Sequence, residues 1–227
     1  SNIMTNFAHN VHLLVDSIDG RGQRAVVQIS RLSACPVTKN VVYLQRLCPA
    51  EHCYREHTMK SSRIRLRAVE PEDLDLMYLI ENDTELWPSG LAYAPFSHFA
   101  LREYIAGSTG DIFCDRQLRL VIETADGTGV GFVDLQRYDP KHRRAEVGIV
   151  VVPEQQRKGI ACEALWLLAE YASAHLGLHQ LYALVPESNP ASAALFRRCG
   201  YKQAAVLQDW LWSPGGWQPV LVFQRLL

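Results

Sequence analysis

No stretch of this chain stays apolar long enough to cross a bilayer, and no basic-then-apolar leader opens it. A spanning helix needs roughly 20 apolar residues, so no membrane partner is expected and the chain reads as cytoplasmic. An excess of charge of one sign is also missing, with 23 basic residues against 24 acidic ones. Without a basic surplus there is no electrostatic footprint for nucleic acid. Internal repeats and low-complexity tracts are absent as well. Cysteine is too sparse for a disulfide scaffold, at six in 227 residues. Cys114, Cys162 and Cys199 fall in or near patterned elements and read as buried free thiols. Cys35, Cys48, His52, Cys53 and His57 form one loose group, but their spacing fits no standard zinc finger, so no metal is expected.

Two common phosphate-binding signatures are missing too. No Gly-Lys-Ser/Thr follows a glycine loop, and no glycine triplet marks a dinucleotide fold. What the chain does have is an apolar run, 147–153, followed by Glu154-Gln155-Gln156-Arg157-Lys158-Gly159-Ile160-Ala161 and then a helical pattern over 162–175. A strand, a glycine-containing turn and a helix start together make an anion site. The first N–H groups of a helix lack partners within it, and the helix dipole points positive charge at the same place. Gln156-x-x-Gly159-x-Ala161 therefore reads as a pyrophosphate cradle. Gly159 allows close backbone approach, Ala161 keeps the helix start free of bulk, and Arg157 and Lys158 add charge.

Around this segment the pattern is mixed α/β. A strand at 64–69 is followed by a helix from Glu70, with Pro71, Glu72 and Asp73 in its first turn and Leu74, Met77, Tyr78 and Ile80 on an apolar face. An aromatic stretch broken by two prolines covers 86–96, and Ser97 caps a second helix over 97–106. Strands at 118–123 and 130–136 flank Asp126-Gly127, a hairpin signal. Further strands are expected at 144–152, 180–185, 204–212 and 217–224, with a helix over 189–199. Residues 1–58 differ in character, with short strands expected at 11–15 and 41–44. They are read as an N-terminal extension, disordered or not native, with the natural frame starting at Met59.

The cradle resembles motif A of the GNAT acetyltransferases. His142-Arg143-Arg144-Ala145-Glu146 is similar to the approach to that family's central strand in its spermidine and ribosomal-protein branches. Asn189-Pro190-Ala191-Ser192-Ala193-Ala194-Leu195-Phe196-Arg197-Arg198-Cys199-Gly200-Tyr201 is similar to its motif B helix. The resemblance runs from about Ser62 to the end of the chain. It implies a GNAT domain over 59–227: a mixed, mostly antiparallel sheet with a splayed strand pair, flanked by helices. It also implies acetyl-CoA as co-substrate and transfer of its acetyl group to a primary amine. The acceptor is a small polyamine or a protein amino group, attacking directly in a ternary complex. The state of assembly stays open, a homo-oligomer included. The alternative is a non-catalytic acyl-CoA-binding module of the same fold.

On that resemblance Ile149, Val150 and Val151 lie along the pantetheine arm, and Gln156, Arg157, Lys158, Gly159, Ile160 and Ala161 hold the pyrophosphate. Asn189 is either a helix cap worth about 1 kcal/mol or a cofactor contact. Phe196 stands where many relatives have a tyrosine, and it has no proton to give. It packs on the cofactor or in the core, and Tyr201 is read as packing. The acid for the leaving thiolate is then water, Tyr182 or Cys199. Glu146 is the candidate base, acting through water, and its competing reading is a strand-edge salt bridge with Arg144 or Arg119. Asp134 on the neighbouring strand is a candidate for acceptor binding. Glu81, Asp83 and Glu85, with Trp87, Tyr93 and Phe96, offer acidic and aromatic walls for a cationic amine. The plainer reading there is a solvated helix end beside ordinary core aromatics.

Overall fold

The computed structural model describes residues 17–18, 24–25, 59–84, 86, 94–213 and 215–227. The chain divides into two units, Ser1–Cys53 and Tyr54–Leu227. In the first, β1 (Ser17–Ile18) and β2 (Arg24–Ala25) pair antiparallel, Ser17 opposite Ala25. The strands expected at 11–15 and 41–44, and the loose cysteine–histidine group, lie outside the described residues.

The second unit is built on seven strands: β3 (Ile64–Ala68), β4 (Leu118–Thr124), β5 (Gly129–Asp139), β6 (Arg144–Val151), β7 (Gln180–Pro186), β8 (Lys202–Ser213) and β9 (Gly216–Leu226). They are ordered β3-β4-β5-β6-β7-β9-β8, every neighbouring pair antiparallel except β6–β7. Local chemistry explains the strands. In β3 the buried Ile64 and Leu66 alternate with Arg65 and Arg67, the period-two signature of a half-buried strand. The β4–β5 turn is held by Asp126, whose Oδ1 accepts from the Thr128 N–H at 3.2 Å. Gly131 is needed where β5 meets β6, because a Cβ there would lie 2.1 Å from the Val150 carbonyl oxygen.

Helices cover both faces. On one side lie α4 (Ile160–Ala174) and α5 (Pro190–Arg198), which share a core with Leu120, Val133, Ala145, Leu181 and Phe223. Leu165, Leu168, Ala169 and Ala172 recur at the helical three-to-four spacing and are buried, each leucine contributing roughly 2 kcal/mol. On the other side lie α1 (Leu74–Glu81) and α2 (His98–Gly107), whose Met77, Ile80 and Leu101 pack on Val121 and Phe132. A 3-10 turn, Pro71–Asp73, leads into α1 through a Glu70/Asp73 capping box. Ser97 caps α2 as expected, its Oγ accepting from the Ala100 N–H at 3.1 Å.

The expected order of elements holds, with one addition. A short helix, α3 (Ile112–Asp115), precedes β4, capped by Asp111, whose Oδ1 accepts from the Phe113 N–H at 2.8 Å. This corrects one expectation. Cys114 sits on α3 and is exposed, whereas Cys162 and Cys199 are buried free thiols as expected. No helix among the described residues is long and apolar enough to cross a membrane.

Candidate active site

The parallel pair β6–β7 is the site's organising feature. Arg144, Ala145 and Glu146 pair with Gln180, Leu181 and Tyr182, and there the pairing stops. β6 continues to Val151 and β7 to Pro186, so the two strands part into a wedge. From Val147 onward β6 is paired on its β5 side alone, through Leu135, Asp134, Val133, Phe132 and Gly131. Half the backbone groups of Ile149, Val150 and Val151 therefore face the wedge without a strand partner, a row of donors and acceptors for an extended amide-bearing ligand.

The wedge leads to the start of α4. After β6 the chain makes a 3-10 turn, Pro153–Gln155, and Arg157 and Gly159 both adopt left-handed backbone, at φ 59° and 84°. Gly159 is the N-cap and brings no side chain to the helix end. Among the described residues the N–H groups of Ile160, Ala161 and Cys162 meet no acceptor. They converge on one spot with the positive end of a 15-residue helix behind them. Gln156 braces the loop, its Nε2 donating to the Val151 carbonyl at 2.9 Å, and Lys158 Nζ rests on Gln155 Oε1 at 3.1 Å.

Arg63, just before β3, completes this end and was not anticipated. Its Nη1 donates to the Lys158 carbonyl at 3.1 Å, and Nη2 pairs with Glu163 in the first turn of α4. A Cβ on Gly159 would lie 3.5 Å from Nη2. The guanidinium thus lies beside Gly159 at the start of α4, a cation at the helix end whose charge is shared with Glu163. Its 95-residue separation from Lys158 left no local signal to find it by. Bare N–H groups, a side-chain-free cap, an arginine and an unpaired strand edge fit the pyrophosphate and pantetheine of acetyl-CoA.

On the α1/α2 side the carboxylates are engaged. Glu146, on the last paired rung, accepts from Arg137 Nη1 at 2.5 Å, not from Arg144 or Arg119 as its salt-bridge reading held. The reason is a bulge in β5: Arg137 takes φ 49° and pairing slips between Gln136 and Asp139, swinging its side chain to Glu146. Arg144 lies 3.4 Å from Asp139 instead. Arg119 holds both Asp134 and Glu81, with the rings of Tyr104 and Phe132 at 5.7 Å and 5.5 Å. Burial alone would lower its pKa, but the two carboxylates raise it and keep it charged.

Asn82 closes the α1–α2 connection at its base. Its amide donates to the Phe96 carbonyl at 3.0 Å and accepts from the Phe96 N–H at 2.8 Å. Beside it a cleft of about 600 Å³ opens between α1 and the end of β6, lined by Tyr78, Asn82, Asp83, Val150, Val152 and Glu154, among others. Glu85, Trp87 and Tyr93 lie outside the described residues.

At the head of α5, Asn189 is a cap: Oδ1 accepts from the Ser192 N–H at 3.0 Å, and Pro190 takes the first helical position. Its amide nitrogen donates to no group among the described residues, so capping leaves it able to meet a ligand as well. Phe196 sits in the core, 3% exposed, edge-on to Tyr201 at 5.0 Å and stacked with Phe223 at 6.1 Å. Of its two expected roles this packing supports the core one. Cys199 faces α4, its thiol 2.8 Å from Cys162 Sγ, and burial followed by that neighbour pushes it up to about 12.

Residues 63–202 match the acetyltransferase (GNAT) domain family. The chain belongs to the GNAT acetyltransferases. It is 29% identical over 160 residues to the spermidine N(1)-acetyltransferase of Vibrio cholerae, covering 70% of this chain and 91% of that one. The Escherichia coli K12 spermidine N(1)-acetyltransferase is 30% identical over 138 residues, 61% and 72% of the two chains. The V. cholerae spermidine N-acetyltransferase in complex with CoA and spermine superposes with a TM-score of 0.65 at 28% identity, covering 73% of this chain and 96% of that one. That protein has also been solved as a dodecamer. The sheet with its one parallel pair is thus the GNAT fold, and the protein is an acetyl-CoA-dependent N-acetyltransferase that acts on an amine. The reading as a non-catalytic module is not favoured.

Proposed function

We propose that residues 59–227 form the acetyltransferase domain and that its acceptor is a polyamine-like cation, which attacks the thioester directly in a ternary complex. The observation that carries this reading is the β6–β7 wedge, which ends on Glu146 and opens at its other end onto the bare N–H groups of α4. Bound acetyl-CoA supplies the activated acetyl group. Ile149, Val150 and Val151 align its arm through their backbone, and Gln156, Arg157, Lys158, Gly159, Ile160 and Ala161, with Arg63, hold its phosphates. The Asn189 amide reaches the arm from α5. The Glu146 carboxylate draws the amine's proton through water, since an ammonium has no lone pair to attack with.

Charge supports the choice of acceptor. Asp75, Asp83 and Glu154 line the cleft between α1 and β6, and Asp134 and Glu81 together outweigh Arg119 by one negative charge. Acidic walls draw a multiply charged amine and lower its escape rate. The named substrates of the V. cholerae and E. coli relatives point the same way. A cytoplasmic homo-oligomer is part of this proposal, prompted by the dodecamer of the V. cholerae relative.

Thiol release from acetyl-CoA, measured with spermidine, spermine, a diamine and peptides bearing free amino groups, tests it. Turnover that is fastest on the polyamines and falls with added salt is the expected result. Turnover on peptides alone would move the acceptor to protein amino groups, and none on any amine would remove the acceptor assignment altogether.

A further inference from the structure

Transfer of an acetyl group leaves a thiolate that must be protonated, and the residue at the usual tyrosine position is Phe196. Three other candidates can be judged by position. Cys199 and Tyr201 belong to the core on the α4/α5 side of the sheet, at 1% and 2% exposure. The Cys199 thiol donates a hydrogen bond to Cys162 Sγ, and the Tyr201 hydroxyl, sealed in without a partner, touches no open space. Neither reaches the wedge.

Tyr182 does. Leu181, Ala183 and Val185 of β7 are buried toward α4 and α5, so Tyr182 points to the opposite face, where it is half-buried. It stands directly across from Glu146 on the last rung before the strands part. A ligand threaded through the wedge from the α4 end has its reactive end at that vertex. We propose that Tyr182 is the general acid of this enzyme, its Oη protonating the departing sulfur while Glu146 on the same rung takes the proton of the amine.

This rests on the acetyltransferase reading. The balance is complete. The N–C bond forms, the C–S bond breaks, and its electron pair leaves with sulfur, which takes the Tyr182 proton. The ammonium's first proton leaves through Glu146 and water to solvent before attack. The second, shed by the acylated nitrogen, goes to Glu146 and on to the phenolate beside it, restoring both side chains with one proton released per turnover. Burial and then the Glu146 carboxylate hold the Tyr182 hydroxyl above its ordinary pKa, against the opposing charges of Arg137 and Arg144. It therefore stays protonated at neutral pH, as an acid must.

The test is Tyr182→Phe in the full chain. We expect kcat on the best amine to fall about a hundredfold, with the amine KM and calorimetric CoA affinity unchanged. An ultraviolet pH titration gives a readout without turnover: the variant lacks one late-titrating phenol, and Glu146→Gln shifts that same phenol to lower pH. A Tyr182→Phe enzyme as fast as the wild type, or a phenol indifferent to Glu146→Gln, overturns the proposal. Failure of the wild type to acetylate any amine would overturn the parent reading instead, and the two outcomes cannot be confused.

Discussion

Arg119 grips Asp134 through both carboxylate oxygens, Nε to Oδ1 and Nη2 to Oδ2, each at 2.9 Å. Its remaining nitrogen reaches Glu81 at 2.5 Å, so one guanidinium ties the end of α1 to β4 and β5. The fork geometry matters, because two parallel N–H donors match the two oxygens of a carboxylate and a lysine cannot reproduce them. Removing it leaves two carboxylates facing each other in a half-buried site. Arg119→Ala should therefore cost about 3–5 kcal/mol, read as a lower denaturant midpoint. Arg119→Lys should recover only part of the loss. Full stability in Arg119→Ala would mean the carboxylates relax into water and the tie is incidental.

Gly159 bears on cofactor affinity rather than on the core. At φ 84° a side chain adds strain of about 1–3 kcal/mol, although the new Cβ itself would meet Arg63 Nη2 only at an ordinary contact distance, 3.5 Å. Gly159→Val should weaken CoA binding by tenfold or more in calorimetry. Arg63→Ala keeps the backbone but deletes the cation, and about a tenfold loss, 1.4 kcal/mol, is expected. The Arg63 effect should shrink as salt is added, because its guanidinium is exposed. Unchanged affinity in both variants would move the phosphates away from α4.

What could be read from the sequence was local. The Asp126 turn, the Ser97 and Asn189 caps, and the strand–glycine–helix order around Gly159 all depend on residues within a few positions of one another, and each stands where expected. Tertiary partners were harder. Arg137 reaches Glu146 only because β5 bulges, and nothing in its neighbours signals the slipped register. Arg63 meets the cradle because β3 packs beside α4, a consequence of topology. The same holds for Glu81 and Asp134, two acidic candidates read separately that turn out to share one arginine. Cys114 came out exposed because the four residues of α3 are too few to show a helical period.

The three described cysteines should separate by reactivity. Thiolates, not thiols, are alkylated, and burial with Cys162 alongside pushes Cys199 up to about 12. Cys162 is buried in the same interface, whereas Cys114 is exposed on α3. Iodoacetamide on the native protein, followed by peptide mass spectrometry, should label Cys114 quickly. Cys162 and Cys199 should react only in denaturant. Early labelling of either would show that the α4–α5 interface opens readily.

Acid should act on the opposite edge of the sheet. Glu123 accepts from Arg65 and, at 2.9 Å, from Arg67 Nε, while Arg67 also donates to both oxygens of Asp73 at 2.6 Å and 2.8 Å. The hydrogen bond from Arg65, then that from Arg67, lowers the Glu123 carboxyl from 4.5 to about 2. A carboxyl depressed by folding binds fewer protons in the native state than in the unfolded one. Its stabilisation is therefore complete above pH 4.5 and is lost as pH falls toward about 2. Asp73 adds to the same trend. Burial pushes its carboxyl up, but Arg67 and the Glu70 N–H outweigh that and leave it below the usual range. Melting midpoints should be level near neutral pH and fall through this acid window. Glu123→Gln should start lower at neutral pH and show a shallower acid slope, with the remainder due to Asp73. Parallel slopes for the two proteins would mean that Glu123 titrates alike folded and unfolded, and that the arginines of β3 leave its carboxyl unshifted.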